Sequence, residues 1–152
     1  MVYWGILITM SGRGLLSVVT AMVVLSACGA AAGRSATYAL GHTPELSDLT
    51  DATWVAHSIA NRGIVAGSVI RLTFTTDTVT ADAGCNTLTG AASIDKHEMV
   101  VSSLAATRKA CEPALQAQDR WLAAFLAARP TIERQGNELW LSRRAEVLHL
   151  TS

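Results

Sequence analysis

The residues best suited to chemistry in this chain of 152 residues sit in the stretch Ala83 to Gly90, AGCNTLTG, where Cys85 and Asn86 stand between Gly84 and Gly90. That cysteine could be a thiolate nucleophile, one half of a disulfide, or an unreactive part of a shaped turn. A nucleophile needs a base within hydrogen-bond reach and surroundings that favour the thiolate. No histidine lies close to Cys85 in sequence, and His57, His97 and His149 fall in strand or turn contexts where nothing marks one as that base. The Cys-x-x-Cys spacing of dithiol redox proteins is absent. His97 and Glu98 are adjacent but solitary, whereas a metal site wants two or more ligands at fixed short spacing, so the pair reads as a solvated hairpin tip and no metal is expected.

Another cysteine has a different context. Leu15 to Ala27, LLSVVTAMVVLSA, is an uncharged apolar run of 13 residues, short for a membrane span but suited to the core of a signal peptide. It ends in Leu25, Ser26 and Ala27 directly before Cys28, which resembles the bacterial lipobox, in which the cysteine thiol takes a diacylglycerol and cleavage makes it residue one. Residues 1–27 are therefore expected to be a signal peptide and Cys28 a lipidation site. Acyl chains contributing about 0.8 kcal/mol per buried CH₂ would hold the protein on a membrane surface. The alternatives are an ordinary secretory signal that contains a cysteine, or an uncleaved anchor. The first charge is Arg13, and translation from Met10 would place MSGRG ahead of the apolar core as a short basic region.

Export changes the arithmetic for the other two cysteines. With Cys28 used for lipid, Cys85 and Cys111 are left in an oxidising compartment where they can pair. Closing a loop of about 25 residues would stabilise the fold by roughly 3 to 4 kcal/mol. Two free buried thiols are the alternative.

Charge speaks against nucleic acid. Removing Arg13 from the twelve basic residues leaves eleven against twelve acidic ones, and the clusters at Thr107 to Ala110 and Ser142 to Glu146 are short enough to be solvated turns.

The elements that must position these residues follow from periodicity. Residues 28–50 are rich in small and polar types and read as a lipidated tether, with PELSDLTDAT adding a helical turn, and residues 51–152 read as one domain. Strands are predicted at WVAHSI, SVIRLTFTT, TVTADAG, GAASI and EMVVSSL, with a turn at Thr75 to Thr78 and a connection at Asp95 to His97. The segment from Glu112 to Arg129 is a helix, with Pro113 at its first position, Pro130 as its stop, and Trp121, Leu122, Phe125 and Leu126 on one face. TIER, LWLS and EVLHLTS close the chain as strands. The fold class is α+β, a small twisted antiparallel sheet with one main amphipathic helix packed on it.

Trp54, the LTF of Leu72 to Phe74, AGCNTLTG, the AATRKAC of Ala105 to Cys111, the DRWLAAF helix, and the LWL and LHL strands together resemble the META/HslJ domain. Gly84, Cys85, Asn86 and Gly90, with Thr107 four residues before Cys111, carry most of that likeness. Ala91 and Ala92 stand after Gly90 where the family often has an aromatic, and Gln118 and Asp119 approximate an acidic residue that leads into the helix face. The resemblance implies an exported or membrane-attached bacterial protein of the kind associated with stress and envelope tolerance, with no cofactor and no established catalytic residue. It points to a non-catalytic lipoprotein of the cell envelope that binds a protein partner or an apolar ligand, with Trp54 and Trp140 as candidate surface. A thiol-dependent enzyme using Cys85 is the alternative. Asn86 and the two glycines are expected to shape a turn, through left-handed backbone, a bond from Asn86 to its own backbone, or close approach.

Overall fold

The computed structural model describes residues 41–152; the signal segment, Met10 and Cys28 lie outside the described residues. Among the described residues eight strands run in chain order: β1 (Thr53–Ile59), β2 (Arg71–Phe74), β3 (Thr78–Asp82), β4 (Thr87–Asp95), β5 (Glu98–Ala106), β6 (Thr131–Gln135), β7 (Glu138–Arg143) and β8 (Glu146–Thr151). One helix, α1 (Pro113–Ala127), interrupts them between β5 and β6. The α+β class holds, with an antiparallel sheet and one helix packed on it.

The sheet goes further than an open, twisted layer. Each strand pairs antiparallel with the next, and β8 pairs back onto β1 through Val55↔Thr151 and Ala56↔Leu150, so the sheet closes into a barrel. Closure removes the exposed strand edges that would otherwise invite association with another chain. Alternation fills its interior: Leu72 and Phe74 on β2, Val79 and Ala81 on β3, Leu139 and Leu141 on β7, and Leu148 and Leu150 on β8 are buried.

The barrel is thinnest between β5 and β6, which pair only at Glu98↔Thr131. Helix α1 packs against β5 and buries Leu122, Phe125 and Leu126. Pro113 starts it without wasting a backbone donor, and Arg129, at φ 55°, ends it just before Pro130. The Arg129 guanidinium then pairs with Asp95 at 3.3 Å and Glu98 at 3.0 Å, fastening the end of the helix to the β4–β5 hairpin.

The tether boundary shifts. Residues 46–49 form a 3₁₀ turn whose Leu46 and Leu49 join the core, and the Trp54 indole donates to the Leu49 carbonyl at 3.2 Å. These residues belong to the domain because their two leucines leave water with it.

Candidate functional site

Where β3 leaves the barrel wall, the chain turns through Ala83–Asn86 before β4 begins at Thr87. Gly84 sits at φ +96°, a conformation costly for any residue with a side chain, and a Cβ there would lie 2.8 Å from the Ser68 Cβ. The adjoining Cys85 is bonded to Cys111 with their Cα atoms 6.0 Å apart, which joins this turn to the segment leading into α1.

Asn86 does more than shape the turn, and it does so without left-handed backbone. Its backbone N–H and side-chain Nδ2 both donate to Asp119 Oδ2, at 2.9 and 2.8 Å, and Nδ2 also lies 3.1 Å from Cys85 Sγ. Its Oδ1 accepts from the Thr107 hydroxyl at 2.9 Å and from the Lys109 N–H at 2.8 Å. Thr107 completes the arrangement by accepting from the Thr87 N–H at 3.1 Å. One amide thus ties together the turn, the helix and the 107–111 segment. The expected bond to its own backbone is replaced by these longer-range ones because the three segments converge on it.

Gly90 lies within β4, not in a turn. β5 carries an extra residue opposite it: Thr89 pairs with Ala105 and Ala91 with Ser102, leaving Ser103, at φ 54°, and Leu104 facing one glycine. A Cβ on Gly90 would stand 2.9 Å from the Ser102 carbonyl oxygen, so close approach is the reason for glycine here.

Two helix residues complete the site, and the sequence alone offers for them only a likeness to the family's acidic position. Gln118 is buried and donates to Ser68 Oγ and the Ala83 carbonyl, both at 2.8 Å, while accepting from the Val65 N–H at 2.7 Å. Asp119 is 6% exposed, and its Oδ1 has no partner. Their position one turn before Leu122 puts them on the apolar side of α1, a signal that polar side chains there have bonding duties.

Of these groups Asn86, Thr107 and Asp119 line a cleft of about 470 Å³ between the 107–110 segment, the start of β4 and α1. Leu88, Ala106, Ala110 and Ala123 give it an apolar lining, and Arg108, Lys109 and Arg120 stand around it.

The two tryptophans expected at a binding surface separate. Trp54 is fully buried in the barrel, between the core leucines and the 3₁₀ turn, and cannot meet a ligand without unfolding. Trp140 alternates with the buried Leu139 and Leu141, so it lies on the outer face, half-buried and stacked on His149 at 5.0 Å with the rings 2° from parallel. His57 bonds the Thr151 hydroxyl, His97 bonds the Thr43 hydroxyl, and His149 lies 4.0 Å from Glu138. Among the described residues no group of three or more His, Cys, Asp or Glu is placed to hold a metal, and no helix is long and apolar enough to cross a membrane.

A family model described as the META domain matches residues 47–152. Two structures solved by NMR share the fold. One is 19% identical, with a TM-score of 0.59 over 70% of this chain and 92% of its own. The other, from Burkholderia xenovorans, is 22% identical, with a TM-score of 0.56 over 70% of this chain and 84% of its own. No curated protein matches the chain.

Proposed function

The chain belongs to the META domain family, and we propose that it is an exported lipoprotein, anchored through Cys28 with its domain outside the cytoplasm, that acts without catalysis by binding an envelope protein or an apolar ligand. It would serve as an accessory or stress-tolerance factor of the cell envelope. The observation that carries this reading is the bond between Cys85 and Cys111. Disulfides persist in exported proteins and are rare in the cytosol, so the bond agrees with the signal and lipobox pattern of residues 1–28. It also occupies the thiol on which an enzyme using Cys85 would depend, since only a thiolate attacks.

Anchoring is tested by feeding cells labelled palmitate: the wild type should take up label and C28A should not. Equal labelling of the two would overturn the lipoprotein assignment. Binding is tested by crosslinking from the anchored protein on intact cells, where a reproducible neighbour is expected and its absence would count against the reading. The thiol alternative is tested with a thiol reagent in the absence of reductant. Unreactive Cys85 and Cys111, with a mass two hydrogens below that of the reduced protein, defeat it; a reactive Cys85 revives it.

A further inference from the structure

The strongest unassigned feature is the charge around the cleft beside Asn86. Arg108, Lys109 and Arg120 all line it, and among the described residues none of the three has a carboxylate within ion-pair distance. The one carboxylate of the lining, Asp119, is 6% exposed, directs Oδ2 to two donors of Asn86 and leaves Oδ1 without a partner. With three cations against the one carboxylate of Asp119 the lining keeps a net positive charge, which an anion placed among the cations would offset. Beneath the charges lie Leu88, Ala106 and Ala123, a surface for an apolar body. A cleft of about 470 Å³ with an apolar floor and a few charged groups fits the size and make-up of sites for small molecules.

Charge separates this cleft from the larger hollow of about 540 Å³ on the other side of the 83–86 turn, where Arg71 is accompanied by Asp82 and Glu112. There the carboxylates outnumber the cation and no anion is called for. A third hollow, of about 250 Å³, has Arg143 and Arg144 beside Glu146, whose carboxylate accepts from the Trp121 indole.

We propose that the cleft between the 107–110 segment and α1 binds a small soluble organic anion, a carboxylate or sulfonate on a compact apolar body, its charge held by Arg108, Lys109 and Arg120. This rests on the reading above that the domain acts by binding, and it gives the apolar ligand a negative charge. A two-chain lipid is the less fitting occupant, because both chains would have to share one small hollow with the charged head.

The test uses the full chain held in phosphatidylcholine nanodiscs and follows backbone amide shifts in ¹⁵N spectra. Phenylbutyrate is the anionic probe and phenylbutanamide its neutral counterpart. The anion should shift the amides of Ala106, Lys109, Ala110 and Ala123 saturably, with the amide binding about tenfold more weakly, a difference of about 1.4 kcal/mol. R108Q/K109Q/R120Q should lose about the same factor while its spectrum stays as dispersed as that of the wild type. R120Q alone should lose part of it. Equal affinity for the two probes, unchanged affinity in the triple variant, or shifts confined to other parts of the barrel would overturn the proposal. Shifts at these amides in phosphatidylglycerol nanodiscs, without any response to the soluble probe, would overturn it in favour of a lipid. If the probe fails while crosslinking finds a reproducible neighbour, the anion site falls and the binding function stands; if both fail, both fall.

Discussion

Replacing Asn86 tests the hub on which the turn, the helix and the 107–111 segment depend. The amide donates from Nδ2 to the Asp119 carboxylate and accepts from Lys109 and Thr107. A hydrogen bond to a charged group contributes about 1.5 to 3 kcal/mol and a neutral one about 1 kcal/mol, so N86A should cost about 3 to 5 kcal/mol. That is a large part of the roughly 5 to 15 kcal/mol that holds a domain folded. N86D keeps the shape and the acceptor for Lys109 but sets a second carboxylate where Nδ2 stood, 2.8 Å from Asp119 Oδ2. At an effective dielectric constant of about 20, two charges so close repel by about 6 kcal/mol, less whatever a turn of the side chain relieves. N86D should therefore be no more stable than N86A. Adding D119N to N86D removes the repulsion, although an amide at position 119 turned to donate to the carboxylate at position 86 no longer accepts from the backbone N–H there at the same atom, so N86D/D119N should regain part of the loss. The measurement is urea unfolding at neutral pH without reductant, followed by circular dichroism. An N86A cost below about 1 kcal/mol would refute the reasoning, as would N86D/D119N no more stable than N86D.

The remaining predictions concern packing and cross-linking. C85S/C111S should lose about 3 to 4 kcal/mol in the same unfolding assay, from the loop entropy of a 26-residue separation, while keeping the barrel's circular dichroism. G90A should cost about 1 to 3 kcal/mol, because its Cβ meets the Ser102 carbonyl at 2.9 Å in a wall with little room to give. W54A should lose about 3 to 5 kcal/mol as a cavity opens in the core. W140A, on the outer face, should lose less than half as much, and similar losses for the two would contradict their placement.

How much the sequence disclosed depends on the range over which each feature is decided. Alternation over a few residues marks β2 and β7, and the pair of prolines brackets α1, because strand and helix periods are local properties. The barrel's closure rests on β1 meeting β8, two segments at opposite ends of the domain, and no local pattern encodes that pairing. Trp54 shows the same limit: an aromatic that opens a strand can face either way, and its side is settled by the register with Leu72 and by the leucines of the preceding 3₁₀ turn. Gly90 looked like part of a turn because its purpose lies on the opposing strand, in the extra residue of β5. The site was half legible. Gly84, Cys85, Asn86 and Thr107 lie in one short motif and its partner segment, whereas Gln118 and Asp119 sit in a helix whose apolar periodicity carries no sign of their long-range bonds.

The buried polar pair on α1 has a structural logic that follows from the two turns it meets, after β1 and after β3. Elsewhere the ladder satisfies the backbone groups of both neighbouring strands, but the turns between strands have no such partner, and α1 packs on β5 near one of them. A helix spends its own backbone donors and acceptors internally and can offer a neighbouring segment only side chains. Gln118 and Asp119 make that offer: one satisfies Val65 and Ala83, the other the Asn86 N–H, at places where the chain leaves the sheet and its backbone would be buried without partners. Asn86 and the Cys85–Cys111 bond then fasten the 107–111 segment to the same helix, which fixes Arg108 and Lys109 on one wall of the cleft opposite Arg120 on the other. The residues that fasten α1 to the 83–86 turn are thus the ones that set the backbone on which the cleft's charges stand, and a ligand would be read by a surface whose geometry those bonds maintain.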